Sequence, residues 1–310
     1  MHFDLSDLRL FVGVAEAGNL TRGARLSFLS APAASARIKG LERQLATRLL
    51  WRDARGVRLT DAGETLLRHA RVILRQVEHL KHEFGAAAGA TGHIRIAANT
   101  TAVTEFMPEL LARFLAERPG VTVDLQERLT QDIVASVLDG SADLGIVSGR
   151  VPTEGLQALH FSTDRLVLAT PLLHPLAGRG GVAFAETLAY EHIGLHEGST
   201  LLAFIRALMD QHGHDRPLRI QVRSFEAMCR MVEAGVGVGI MPESAAIRHS
   251  KTMRIATAAL VDSWALRERC VLVREIEALP ASARDLVDRM LRSGSGGSSV
   301  TSVASGHDKD

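Results

Sequence analysis

Three polar side chains, Asn99, Thr100 and Thr101, directly follow one predicted strand and open the helix after it. In open α/β sheets, ligands bind where strands end and the following helices begin. Hydroxyls and free backbone N–H groups at such a place can bind a carboxylate or a similar anion. The sequence therefore predicts an anion-binding loop here. The alternative stays open that these residues, like most Ser and Thr at helix starts, serve only as N-caps.

Three further loops have the same character, because each places polar side chains at a predicted helix start. They surround Thr130, the stretch from His196 to Thr200, and the pair Ser224 and Phe225. We predict that the four loops converge on one ligand site. Its predicted members are Asn99, Thr100, Thr101, Thr130, His196, Ser199, Thr200 and Phe225.

Positive charge is concentrated at the N-terminus. Residues 1–58 contain ten Arg or Lys and five Asp or Glu, a net charge of +5, whereas the whole chain of 310 residues carries only +1. A basic segment joined to a mildly acidic remainder is expected when one end binds phosphate groups. A solvated charged surface would explain the charge alone equally well.

Other patterns do not predict catalysis, a metal or a cofactor. His192 and His196 span a strand and its loop rather than one helix face, and Gly235–Gly239 lacks the helix that follows a dinucleotide loop. Cys229 and Cys270 have no metal-ligand spacing; inert buried thiols are favoured over a redox switch. With no export signal and no apolar run long enough to span a membrane, the sequence predicts a cytoplasmic protein that is not an enzyme.

The elements that carry the basic charge predict a winged helix-turn-helix. A first helix runs from about Ser6 to Ala17, a second starts near Thr21, and a third begins at Ser30 with Pro32 in its first turn. A short hairpin over Trp51–Leu59 follows, with basic residues at its turn.

A long helix from Asp61 to Phe84 carries apolar side chains in two interleaved seven-residue repeats, which indicates a coiled-coil seam. We favour pairing with a second chain over packing on its own domain. The predicted seam consists of Leu66, Ala70, Ile73, Val77, Leu80 and Phe84. The stretch Gly85–Gly92 reads as a hinge-like linker.

From His93 onward, strands alternate with helices, which predicts parallel sheets with crossover helices and two lobes around a cleft. Residues 1–60 form the winged helix-turn-helix and 61–91 the dimerisation helix and hinge. Residues 92–293 form the ligand-binding domain, with lobe I at about 92–162 and 268–293 and lobe II at about 163–267. The Gly- and Ser-rich residues 294–310 are predicted to be disordered.

The order of these parts resembles the LysR-type transcriptional regulators over Leu5–Arg292. Each stretch is weakly specific alone, but their order and spacing are strongly specific. They are Leu8–Val12, Thr21–Ala24, Ser30–Ser35, Ile38–Glu42, Gly56–Gly63, Asp139–Ile146, Asp164–Leu168, His174–Leu176 and Glu233–Pro242.

The resemblance implies an α/β fold, with an N-terminal winged helix-turn-helix, a long linker helix and a two-lobed, periplasmic-binding-protein-like effector domain. It implies a homodimer or homotetramer on promoter double-stranded DNA, a small-molecule co-inducer (here a small organic anion) in the cleft, and contact with RNA polymerase. The DNA-binding residues that it implies are Thr21, Ser30, Pro32, Ala33, Ser35, Arg37, Arg52 and Arg55. The effector would contact the four loops named above.

The chain departs from the family's pattern at Ala31 and Ala36, where the family usually has Gln and Arg, so base reading here leans on methyl contacts and DNA shape. Gly23 and Ser27 are expected to weaken the second helix, by about 1 kcal/mol for the glycine. Two other functions remain open: a solute-binding module or small enzyme built on the C-terminal lobes, and a nucleoid-type DNA binder without a sensor.

Overall fold

The computed structural model describes residues 3–53, 56–85, 92–149 and 151–295. The chain divides into two compact units, Met1–Gly92 with Ala135–Ala142, and His93–Val134 with Asp143–Asp310. No described helix combines the length and the apolar character that crossing a bilayer requires. The linker residues 86–91, the wing-tip residues 54 and 55, and the tail from residue 296 lie outside the described residues.

The first unit contains the predicted helix-turn-helix and hairpin. Its elements are α1 (Leu5–Ala17), α2 (Leu20–Leu26), α3 (Ala31–Gln44), β1 (Leu50–Asp53), β2 (Gly56–Leu59) and α4 (Asp61–Gly85). β1 and β2 pair antiparallel, from Leu50 opposite Leu59 to Asp53 opposite Gly56. The three helices and the hairpin confirm the elements predicted for a winged helix-turn-helix.

Side-chain caps fix where these helices begin. Asp4 and Asp7 form a capping box on α1, and Gly18 ends that helix with a left-handed φ of 58°. Ser30 caps α3, since its Oγ accepts a hydrogen bond from the backbone N–H of Ala33 at 3.3 Å. Each cap satisfies a helix-end group that would otherwise have no partner, so the predicted starts and ends hold.

The helix α4 has one face on its own domain and one face in solvent. Leu66 packs against the core of the first unit, and Ala70 is completely buried. Ile73 and Leu80 are 43% and 53% exposed. The predicted seam is therefore divided: Leu66 and Ala70 are covered within the first unit, whereas Ile73 and Leu80 are exposed. Val77 is half-buried, and the side chain of Phe84 lies outside the described residues.

The second unit is a set of α/β elements. Its strands are β3 (Gly92–Ala98), β4 (Val121–Glu127), β5 (Leu144–Ser148), β6 (Gln157–Pro171), β7 (His192–Leu195), β8 (Ile220–Val222), β9 (Val238–Pro242), β10 (Ile255–Ala259) and β11 (Leu266–Val273). Its helices are α5 (Met107–Ala116), α6 (Thr130–Leu138), α7 (Phe184–Thr187), α8 (Thr200–Gln211), α9 (Phe225–Glu233), α10 (Glu243–Ser250) and α11 (Ala281–Ser295).

The sheet is mixed: it contains the predicted parallel pairs, and antiparallel pairs that the sequence did not predict. The β3–β5, β7–β8 and β7–β9 pairs are parallel, as predicted. The 15-residue strand β6 instead runs antiparallel to β11 along its first part and to β9 and β10 along its last part. β6 and β11 therefore join the two halves of the unit, and each half has its own hydrophobic core.

The helix after β3 contains a π-helical turn, Ala102–Phe106, before α5. Pro108 explains it, because proline has no N–H and its ring collides with the carbonyl four residues earlier, that of Thr104. The loosened carbonyls of Thr104 and Glu105 instead accept hydrogen bonds from the Arg248 guanidinium, at 3.5 and 3.3 Å.

One buried histidine makes the stability of the second unit depend on pH. His192 is 4% exposed, its Nε2 lies 3.0 Å from the Thr187 carbonyl oxygen, and burial lowers its pKa to about 4 from 6.5. The folded protein holds this ring neutral, whereas the unfolded chain binds a proton below pH 6.5. Stability is therefore full above pH 6.5 and falls as the pH drops towards 4, by about 3 kcal/mol in all.

Urea unfolding of the wild type and His192→Gln between pH 4 and 8 checks this expectation. The variant should have a flatter stability curve between pH 6.5 and 4, whereas His160→Gln, at an exposed histidine, should keep the wild-type slope. An unchanged slope in His192→Gln would show that other groups cause the loss.

Candidate functional site

The helix α3 presents an uncovered face with small side chains at its start and cations further along. Pro32, Ala33 and Ala36 are exposed, and Lys39 and Arg43 follow at spacings of three and four residues, hence on the same side. Among the described residues no carboxylate pairs with either cation. This face can enter a groove of a duplex: the small residues reach base edges, and the cations reach phosphates.

Arg37, one of the predicted DNA-binding residues, is paired with two carboxylates of the first unit. Its Nε lies 2.6 Å from Asp7 Oδ1, and its Nη2 lies 2.9 Å from Asp4 Oδ1. The hydrogen bond to Asp7 contributes most to raising the pKa of Arg37. Two carboxylates thus occupy the guanidinium and tie α3 to the start of α1, which favours a structural part for this residue.

The other predicted DNA-binding residues lie around the same face. Thr21 and Ser30 are exposed, and Ser30 also caps α3. The Arg52 guanidinium donates to Ser35 Oγ at 2.9 Å, so the wing strand β1 is tied to α3. Arg48 lies over the ring of the half-exposed Trp51. Arg55 lies outside the described residues.

Lys39 and Arg43 were not among the predicted DNA-binding residues. Their signal in the sequence is the i, i+4 spacing beside Ala36, on the side opposite the buried positions Ala34, Ile38 and Leu41.

A cavity in the second unit brings together residues that are distant in the chain. Its volume is about 20 Å³. The lining consists of Asn99, Thr100, Thr101, Ser148, Asp164, Leu166, Thr200, Leu201, Pro242, Arg267 and Arg269. Four of the eight predicted ligand-binding residues, Asn99, Thr100, Thr101 and Thr200, therefore line one space.

Two of these four already have partners within the protein. Asn99 Oδ1 accepts a hydrogen bond from the Ala102 N–H at 2.9 Å, and its Nδ2 donates to Ser148 Oγ at 3.1 Å. Thr100 Oγ1 donates to Glu127 Oε1 at 2.6 Å. The N-cap alternative therefore holds for Asn99, which shapes the loop. Thr101 and Thr200 are better placed to donate to a ligand.

The other four predicted residues are not part of this lining. His196 Nε2 is 3.4 Å from Glu127 Oε1, beside Thr100. Ser199 is completely buried at the start of α8, and Thr130 opens α6. Phe225 is 2% exposed within the hydrophobic core that contains Met228 and Val232, so the structure places it in packing rather than against the cavity.

Sequence reasoning missed Arg267 and Arg269, which supply the positive charge of the cavity. Both lie on β11, a strand that returns from far along the chain, and no loop pattern marks them. The alternation of basic residues before the apolar end of this strand was the only signal.

Two other sequence features have structural explanations. Gly235 follows α9 with a left-handed φ of 75°, ahead of β9, so the glycine-rich stretch ends a helix and enters a strand. Burial raises the pKa of the Cys229 thiol to about 12, so at neutral pH it is not a reactive thiolate.

Two family models match the chain. Residues 5–64 match the bacterial regulatory helix-turn-helix protein of the lysR family, and residues 87–295 match the LysR substrate binding domain. A probable RuBisCO transcriptional regulator of Porphyra purpurea is 33% identical over 250 residues, which are 78% of this chain and 79% of that protein.

Solved structures are similar along most of the chain. The structure of CbnR, a LysR family transcriptional regulator, is 25% identical with a TM-score of 0.62, over 94% of this chain and 99% of that one. The regulatory domain of Synechocystis CcmR in complex with 2-PG shares the fold, with a TM-score of 0.57 at 23% identity, over 66% of this chain and 98% of that one.

Proposed function

The chain belongs to the LysR family of bacterial transcriptional regulators, and on this premise we propose that α3 enters the major groove of promoter DNA. The observation that carries the proposal is the uncovered face of Pro32, Ala33, Ala36, Lys39 and Arg43. Lys39 and Arg43 contact phosphates, while the small side chains approach base edges, including thymine methyl groups. Thr21, Ser30, Ser35 and Arg52, with Arg55 of the wing tip, flank this contact.

We propose that the effector of this regulator is a small organic anion that binds in the cavity of the second unit. Thr101 and Thr200 offer hydroxyl donors, and the lining contains more positive than negative side chains. A relative with a regulatory-domain structure in complex with 2-PG supports a small ligand at a domain of this fold.

Self-association and RNA polymerase contact are further parts of the proposal. The exposed apolar positions Ile73 and Leu80 on α4 support pairing with a second copy, which would place two α3 helices on one duplex. We propose that two dimers associate further into a homotetramer, because association of this kind would bury more apolar surface. A regulator of transcription works in the cytoplasm, beside promoter DNA and RNA polymerase, and we assign it no catalysis.

The match of residues 5–64 argues against a solute-binding module or an enzyme.

Substitution of the two α3 cations tests the DNA proposal. Lys39→Ala and Arg43→Ala should each weaken binding to the promoter duplex several-fold and reduce the slope of log affinity against log salt by about 1. Unfolding should be unchanged, because both side chains are exposed. Gel retardation across a salt series measures both quantities.

The matched control is Lys251→Ala, which removes an exposed cation from the second unit. It should leave the salt slope as it is. Equal slopes for the wild type and both α3 variants would contradict the placement of α3 against phosphate.

A further inference from the structure

The cavity of the second unit carries a net positive charge. Its charged lining consists of two cations, Arg267 and Arg269, and one carboxylate, Asp164, which together give +1. A ligand that neutralises this lining carries a single negative charge. The two cations do not contribute equally, as their contacts show.

Arg269 already has its counter-ion. Its Nη2 is in direct contact with Asp164 Oδ2, and Asp164 also accepts from Ser244 Oγ at 3.1 Å and from the Arg165 N–H at 2.8 Å. This ion pair joins the neighbouring antiparallel strands β6 and β11. Arg269 therefore stabilises the fold, and Asp164 neutralises its charge.

Arg267 is held in place without a counter-ion. Its Nη2 donates to the Ser148 carbonyl oxygen at 2.8 Å, and its guanidinium carbon lies 4.1 Å from the centre of the Phe204 ring. A Cβ built on Gly149 would approach that carbon to 2.7 Å, so a larger residue at position 149 would displace the guanidinium. Within the described parts of the chain no carboxylate pairs with Arg267, and burial lowers its pKa. A desolvated cation without a carboxylate partner costs stability.

The N-terminus of α8 lies beside the Arg267 guanidinium. Thr200 and Phe204 are one turn apart, hence on one face of the helix, and Arg267 lies over Phe204. Ser199, at the cap position, makes no side-chain hydrogen bond to the helix. The Oγ of Ser199 and the Oγ1 of Thr200 are buried and have no hydrogen-bond partner among the residues that the structure describes. The Ser224 hydroxyl, by contrast, caps α9 by accepting from the Ala227 N–H at 3.1 Å.

We propose that Arg267 is the charge-selecting residue of the effector site, and that the effector is a small monocarboxylate held between Arg267 and the first turn of α8. Arg267 binds one carboxylate oxygen or both, and the Thr200 hydroxyl and the uncapped N–H groups of α8 donate to the same group. Ser148 and Phe204 come from the two halves of the unit, so Arg267, which contacts both, holds the carboxylate between the two halves. This inference rests on the proposed function in assuming an effector in this cavity.

The test uses the full chain and a series of probes at constant ionic strength: acetate, glycolate, lactate and pyruvate, the neutral amides of the same acids, and inorganic phosphate. Thermal unfolding measures binding without DNA. At least one monocarboxylate should raise the unfolding midpoint of the wild type saturably, whereas the amides should not. Arg267→Gln should weaken that binding about 10- to 100-fold, and Arg267→Lys should restore part of it.

Arg267→Gln should also unfold at the same temperature as the wild type, or higher, without ligand, because it removes an unpaired desolvated charge. The matched control is Arg206→Gln, which removes a half-exposed cation from the same helix α8 and should leave binding unchanged. The proposal is overturned if no monocarboxylate binds, if the amides or phosphate bind as well, or if Arg267→Gln binds like the wild type. A lower unfolding midpoint of ligand-free Arg267→Gln would also overturn the proposal, because it would show that Arg267 stabilises the fold. Since no DNA is present, failure of promoter binding is seen separately, by gel retardation.

Discussion

Replacing Ile73 by Asp is expected to convert the protein to a monomer and to weaken promoter binding by at least about 100-fold. Ile73 and Leu80 are seven residues apart on α4 and are 43% and 53% exposed, although both are large and apolar. Burial of an isoleucine against a second copy contributes roughly 1.5–3 kcal/mol, and a carboxylate in that place opposes association further. Because each copy carries the substitution, the effect counts twice per dimer. Sedimentation velocity measures the association state, and gel retardation measures the affinity.

Two variants on the same helix separate association from folding. Leu66→Asp should unfold the first unit, because Leu66 packs against its core, whereas Ile73→Asp should leave the fold intact. Gln76→Asp puts the same charge at an exposed polar position and should leave the association state unchanged. If Ile73→Asp sediments as the wild type does, the exposed positions of α4 are not the association surface.

The elements of the first unit could be predicted because their signals are local. Asp4, Gly18 and Ser30 cap or end helices through contacts within a few residues, so the residue types at these positions mark the helix ends in the sequence. The partition of α4 could not be predicted in the same way. A seven-residue repeat marks an apolar face but does not say what covers it, and the structure shows that Ala70 is buried by its own chain.

The elements missed in the second unit depend on distant partners. The first part of β6 has few apolar residues, and only Phe161 of Gln157–Arg165 is fully buried; its hydrogen bonds with β11 make it a strand. The π-helical turn has a local cause in Pro108, but the carbonyls that it frees are satisfied by Arg248, which lies more than 140 residues away. Neither partner leaves a trace in the local pattern.

The candidate cavity was half predictable for the same reason. Thr101 and Thr200 stand at helix starts after strands, which a sequence pattern reveals. The cation Arg267 enters the cavity because β11 returns beside β5 and because Gly149 leaves space for it. Phe225 looked equivalent to Thr200 in the sequence, but its apolar ring is buried in the core, so helix starts alone do not separate a binding position from a packing one.

Gly23→Ala is expected to destabilise the first unit, against the sign that helix propensity gives. Alanine in a helix is favoured over glycine by about 1 kcal/mol. A Cβ on Gly23, however, would lie 2.5 Å from the Cα of Val14 and 2.7 Å from its backbone N, where α2 crosses α1. Backbone atoms cannot turn aside as a side chain can, so the two helices must separate. Overpacking of this kind costs typically 1–3 kcal/mol and occasionally more, and we expect a net loss of about 2 kcal/mol. The glycine that weakens α2 alone is thus what lets α2 pack.

The matched variant is Gly40→Ala on α3, where a Cβ would meet nothing within 4 Å. There only helix propensity acts, so this variant should gain about 0.5–1 kcal/mol. Hydrogen exchange of the α1 and α2 amides in the full chain, followed in urea without DNA, reports on the first unit separately from the second. Opposite signs for the two substitutions are expected. If Gly23→Ala stabilises as Gly40→Ala does, then the contact between α1 and α2 yields readily, and helix propensity alone decides the stability of α2.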